Sequence, residues 1–180
     1  MNPRLVTERA RAKINLGLHI LGRRTDGYHE LDSVVAFADV ADVLTISRAH
    51  ELCLEMSGPF ARSLPAAAEN IVLQAWHQMS AVVGENLDPV KIHLEKNLPV
   101  TAGIGGGSAD AAATLRGLIQ LFDLDLNPAD LQAIALRLGA DVPVCLAQKC
   151  CRMRGIGQII EPVDVALPRV AVLVSPRIPA

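Results

Sequence analysis

No stretch constrains this chain more than Pro99-Val100-Thr101-Ala102-Gly103-Ile104-Gly105-Gly106-Gly107-Ser108-Ala109. Five of the six residues from Gly103 to Ser108 are glycine or serine, more than a tight turn needs. Before the segment, Val90, Ile92 and Leu94 alternate with Lys91, His93 and Glu95, the period of a strand with one buried face. After it, Ala111, Leu115, Leu118 and Phe122 recur at helical spacing, which predicts a helix over 109–122. A glycine loop between a strand and a helix lets the backbone approach a ligand closely, because no Cβ intervenes. The first helical turn adds unpaired N–H groups and the positive end of the helix dipole, so the arrangement reads as a site for phosphate groups. It is not a Walker A loop, since no lysine follows Gly107, nor the dinucleotide fingerprint, which calls for glycine where Ser108 stands.

Around this loop the periodicity changes repeatedly. Ile14, Leu16, Leu18 and Ile20 alternate, predicting a strand with one buried face, and 22–27 reads as a turn or exposed loop. Short strands are expected at 34–37, 43–47 and 52–56, and a helix within 66–83 carrying Ile71, Ala75, Met79 and Val82 on one stripe. Asn127-Pro128-Ala129-Asp130 opens a further helix, with a cap, a first-turn proline and an acid near the positive end. Leu131, Ile134 and Leu138 continue it, and Gly139 stops it. A last strand is expected at 170–174. Strands and helices alternate irregularly, which predicts an α+β fold rather than a regular βαβ winding.

Length and composition narrow the function classes. The chain has 180 residues, enough for one domain with a sizeable core and short for two. Apolar residues make up 51 %, yet there are only three Phe, one Trp and one Tyr, so the core is expected to be aliphatic. A net charge of −2 argues against a nucleic-acid partner and for a small, locally bound ligand. No apolar run can span a bilayer and Met1–Lys13 has no apolar secretory core, so no membrane partner and a cytoplasmic location are expected. Cys53, Cys145, Cys150 and Cys151 lack metal-site spacing and read as reduced thiols.

Four segments, in order, resemble the GHMP kinase superfamily: Ala12-Lys13-Ile14-Asn15-Leu16, Gly27-Tyr28-His29-Glu30-Leu31, the loop from Pro99 to Ala109, and Leu138-Gly139-Ala140-Asp141-Val142-Pro143. Gly155-Ile156-Gly157, before Val163, is similar to a fifth. Within the superfamily, Tyr28-His29 and the Ala140–Pro143 segment resemble the kinases of a cytidine diphosphate-linked substrate more than the galactose or mevalonate-type kinases. The resemblance implies an α+β domain like the second domain of ribosomal protein S5, and transfer of the ATP γ-phosphate to a substrate hydroxyl on the non-mevalonate route to isoprenoid precursors. ATP and Mg²⁺ are the implied cofactors.

The resemblance also implies roles. Asp141 matches the family's catalytic Asp, the candidate general base, and Lys13 its cationic partner. Pro99, Val100, Thr101, Ala102, Gly103, Ile104, Gly105, Gly106, Gly107, Ser108 and Ala109 are the implied ATP-binding residues, and Ser108 also the implied contact to the metal, with helix capping as its other role. Tyr28 and His29 match residues that hold the cytidine end, and Asn15 is expected at the substrate's polar part. Gln158 stands where the family has an acid, and Arg152 and Arg154 make that loop more basic. The family's chains continue into a carboxy-terminal α/β domain with a second glycine-rich segment. Residues 1–165 are therefore expected to form the amino-terminal ATP-binding domain and 166–180 the start of a domain otherwise missing, with an uncovered apolar face that favours self-association. The alternative is a non-catalytic nucleotide-binding module of the same family.

Overall fold

In the computed structural model, residues 5–25, 27–64, 69–84, 87–164, 166 and 170–174 are described. Two long strands, β1 (Leu5–Arg23) and β2 (His29–Arg48), form an antiparallel ribbon with register shifts between Arg11 and Lys13, Asn15 and Gly17, and Ile20 and Gly22. The other edge of β2 pairs antiparallel with β4 (Val90–Glu95) through Val43–Arg48 and with β5 (Cys151–Gly155) through Leu31–Val35. A short β3 (Cys53–Ser57) runs parallel to β4, and β6 (Ile159–Pro162) pairs with β5. The helices α1 (Ile71–Val83), α2 (Gly106–Phe122), α3 (Pro128–Leu138) and the single-turn α4 (Val142–Ala147) complete a mixed α+β domain.

α2 is the central helix, touching β1, β2, α1, α3 and α4. Its Ala-rich face, with Ala111, Ala112, Leu115 and Leu118 fully buried, meets Leu44, Ile46, Ile92 and Leu94 of the sheet. The core is aliphatic, as the composition requires. Burying each large aliphatic side chain contributes about 1.5–3 kcal/mol. Asn70 caps α1 by accepting from Val72 N at 3.0 Å, and Asn127 caps α3 by accepting from Ala129 N at 2.9 Å.

β4 alternates buried and exposed residues as predicted. Elsewhere the structure corrects the sequence reading. The short strands expected at 34–37 and 43–47 are one continuous β2, because β1 pairs with it along nearly its whole length. The strand at 14–20 exists within β1, but its apolar row is not buried: Leu16, Leu18 and Ile20 are 46, 47 and 64 % exposed. Gly22 and Arg23 belong to β1 rather than to the turn, which closes through Arg24 N–H donating to Tyr28 O. Helix α1 begins at Ile71, and 66–68 of the expected helix lie outside the described residues. Val82, expected on its buried stripe, is 41 % exposed. No strand forms at 170–174, where Val170, Val172 and Val174 stand exposed without a partner strand among the described residues.

Candidate active site

The phosphate-loop segment folds as a strap between β4 and α2. Ile104 is its apolar anchor, buried against Ala12 and Leu98, while the glycines on either side take left-handed φ values. Thr101 shares that conformation, at φ 59°, an unusual position for a β-branched residue. Ala109 N–H is satisfied by Gly105 O at 2.8 Å, which leaves the N–H groups of Gly106, Gly107 and Ser108 without an intrahelical acceptor. Every residue from Pro99 to Ser108 lines a cavity of about 320 Å³, closed on its other side by Leu64, Ile71 and Lys96. Ala109 is buried behind it.

The strap is stitched to β1 at Lys13. Lys13 N–H donates to Ile104 O at 2.8 Å, and Gly105, at φ 64°, holds a left-handed conformation in which a Cβ would also crowd the Lys13 side chain at 3.2 Å. The ammonium of Lys13, almost fully buried, lies 3.0 Å from Asp141 Oδ2 and donates to Asn15 Oδ1 at 3.2 Å. Asp141 stands at the start of α4, yet its carboxylate makes no capping hydrogen bond and turns to Lys13 instead. It keeps 36 % of its side chain exposed, enough for a substrate atom to reach it. Ala140, just before it, has its carbonyl 2.5 Å from where a Cβ on Gly157 would sit; Gly157, at φ 120°, therefore lets the β5–β6 turn close against this segment. Burial pushes the neighbouring Cys145 thiol up to about 12, with Asp141 adding to the effect, so it stays neutral beside the pair. All four cysteines are free.

The structure thus brings Lys13, Asn15, Asp141 and the strap together. Ser108 faces the cavity, and Gly139 of the Asp141 segment approaches its hydroxyl. Tyr28 and His29 are not at this centre: they lie at the exposed tip of the β1–β2 ribbon, where His29 pairs with Arg23. Among the described residues no three His, Cys, Asp or Glu side chains converge as a metal site.

Sequence reasoning missed a buried ionic trio beneath the strap. Lys96 Nζ donates to Asp42 Oδ2 and to Asp110 Oδ2, both at 2.6 Å, and all three side chains are at most 3 % exposed. The available signal was Asp110 itself, a lone charge in the Ala-rich run Ala109–Ala113.

A glycine strap over a helix start, beside a buried lysine paired with a half-exposed aspartate, suits the binding of phosphate groups, and residues 70–149 match the family described as GHMP kinases N terminal domain. Over that segment the chain is similar to the amino-terminal domain of GHMP kinases. It is similar over nearly all its length to 4-diphosphocytidyl-2-C-methyl-D-erythritol kinases. The relative from Bradyrhizobium sp. (strain BTAi1 / ATCC BAA-1182) is 49 % identical over 96 % of this chain and 56 % of its own length. That from Bradyrhizobium sp. (strain ORS 278) is 51 % identical over 96 % of this chain and 57 % of its own. A crystal structure of 4-(cytidine 5'-diphospho)-2C-methyl-D-erythritol kinase superposes with a TM-score of 0.72 at 35 % identity, covering 93 % of this chain and 61 % of that one. The chain therefore spans a little over half the length of the curated relatives it matches. No helix among the described residues is long and apolar enough to cross a membrane.

Proposed function

We propose that this chain binds ATP in the cavity under the glycine strap and transfers its γ-phosphate to the 2-hydroxyl of 4-diphosphocytidyl-2-C-methyl-D-erythritol. The observation that carries the reading is the Lys13–Asp141 pair, 3.0 Å apart and tied to the strap through Lys13 N–H and Ile104 O. Phosphoryl transfer asks a protein mainly to position its reactants and stabilise charge. The amides of Gly106, Gly107 and Ser108 suit the second task, offering oriented donors at the positive end of α2. Asp141 is the base that accepts or orients the hydroxyl proton, and Lys13 fixes its carboxylate while neutralising charge near the attacked phosphorus. Asn15, two residues beyond Lys13 on the same strand face, holds the substrate's polar part. Tyr28 and His29 take the cytosine at the ribbon tip, where the ring of Tyr28 offers a stacking face and His29 a hydrogen bond.

Ser108 suits Mg²⁺, because this ion takes most of its oxygens from phosphates and water and needs few from the protein. When bound, the ion neutralises phosphate charge; the chain's own contribution would be the hydroxyl of Ser108, a residue of the cavity lining. The test is a kinase assay on the cytidyl substrate set against galactose and mevalonate. Transfer to the cytidyl substrate alone supports the reading. ATP binding without transfer to any of the three marks an inert nucleotide-binding module, and transfer to another acceptor moves the substrate assignment elsewhere.

A further inference from the structure

The single-turn α4 carries Asp141 but has little of its own to hold it in place. Six residues make a marginal helix alone, and Asp141 gives it no capping bond at its start. Its anchor is at the other end. Arg116, from the second half of α2, donates through three nitrogens at once: Nε to Glu8 Oε2 at 2.8 Å, Nη2 to Arg9 O at 3.1 Å and Nη1 to Cys145 O at 2.9 Å. The first two acceptors belong to β1 and the third to the last turn of α4, so one guanidinium joins three elements. Gln148, the left-handed residue that closes α4, donates to the same Arg9 O at 2.8 Å. Gly117 lets α2 come close enough for this fork to reach: a Cβ there would meet Ile46 Cδ1 at 2.5 Å and Glu8 Cγ at 3.5 Å.

The two places where α4 touches β1 are spaced alike on both elements. Asp141 to Gln148 covers about 10 Å along a helix, and Lys13 to Arg9 about 13 Å along a strand. α4 therefore lies along β1, its start at Lys13 through the 3.0 Å ion pair and its end at Arg9 through the clamp. The ion pair has one partner open to solvent, where such a contact stabilises little. Arg116 and Glu8 are only 23 and 19 % exposed, and a guanidinium holding three acceptors in fixed directions constrains far more.

We propose that Arg116 is a positioning residue for phosphoryl transfer, holding the end of α4 on β1 and so keeping the Asp141 carboxylate against Lys13. This rests on the reading of Asp141 and Lys13 as the reactive pair. Arg116 does not line the cavity, so its loss acts on the placement of Asp141 rather than on the nucleotide.

Arg116→Gln is compared with the wild-type 180-residue chain by steady-state kinetics and by brief acetylation of lysines, read for each lysine by mass spectrometry. Turnover is expected to fall about tenfold to a hundredfold, the effect of a small misplacement at a reacting group, with the KM for ATP unchanged. In an Asp141→Asn background the same substitution is expected to add nothing, because it acts through that carboxylate. Arg116→Lys keeps a charge opposite Glu8 but cannot span three acceptors, so it is expected to recover stability without recovering turnover. Full turnover in Arg116→Lys, or an undiminished fall in the Asp141→Asn background, overturns the proposal.

The labelling decides whether or not the chain turns over. Lys13 and Lys96 have side chains 4 and 2 % exposed, one beside α4 and the other beneath the strap. Acetylation of Lys13 several-fold faster in Arg116→Gln, with Lys96 as protected as before, supports local loosening of α4. Unchanged labelling of Lys13 overturns the proposal, and so does a rise that Lys96 shares, which marks general destabilisation. Should Arg116→Gln fail to fold, Arg116→Gln/Glu8→Gln removes the stranded acid and takes its place. A wild-type chain that transfers no phosphate, with Lys13 labelled as expected, refutes the transfer reading and supports the clamp.

Discussion

Asp141 illustrates how a residue's chemistry is set by what its backbone position leaves undone. Standing at the start of α4, it would ordinarily spend its carboxylate on helix amides; here those amides are left aside and the group faces Lys13. Asp141→Asn preserves shape and removes the acceptor charge, so turnover is expected to fall by roughly 10²–10⁴ with little change in ATP affinity, measured by steady-state kinetics beside an ATP isotherm. Near-normal turnover would remove Asp141 from the base role. Asp110 makes a second residue-scale prediction. Burial holds its folded carboxyl up to about 8 while the unfolded chain's stays near the ordinary 3.8, so the native state holds the extra proton between those values. Stability from this group is therefore full below about pH 4 and is lost as pH rises through about 8. The melting temperature should fall from pH 6 to pH 8.5 in the wild type, and the part of that fall due to this group should vanish in Asp110→Asn.

At the scale of elements, the β5–β6 turn supports the Asp141 segment, and Gly157 is where the two touch. An alanine there would meet the Ala140 carbonyl and hold a left-handed φ that side chains rarely adopt. Gly157→Ala is expected to cost about 1–3 kcal/mol in a denaturant titration and to lower turnover with it. Asn127→Ala removes the α3 cap and should cost about 1 kcal/mol, with turnover unaffected because α3 does not line the cavity. These local devices are also what could be read in advance. The alternation of β4, the Asn127-Pro128 helix start and the strap between strand and helix are all written in windows of a few residues, and the structure has them there. β2 was not legible, since Ala38-Asp39-Val40-Ala41-Asp42 looks like a break between strands. What keeps it extended is pairing with Arg9–Arg11 across the ribbon and, for Asp42, a lysine far along the chain. The trio escaped for the same reason: a buried charge makes sense only once its distant partners are known. Gly139 was legible as the stop of the preceding helix, but the short helix just after it is held by packing against α2.

For the whole molecule, the apolar row of β1 separates stability from surface. Leu16, Leu18 and Ile20 contribute to the alternating pattern of the strand but remain 46, 47 and 64 % exposed. Leu18→Ser and Ile20→Ser should each change the unfolding free energy of this chain by no more than about 0.5 kcal/mol, whereas Leu118→Ala, from the fully buried face of α2, should cost about 2–5 kcal/mol in the same urea titration. The contact between Lys13 and Asp141 joins the first strand to the fourth helix, so it spans most of the chain. Contacts that distant in sequence close large loops and are slow to form. A nascent chain leaving the ribosome would thus carry its glycine strap and the segment of its central helix before the aspartate that meets Lys13 had been added.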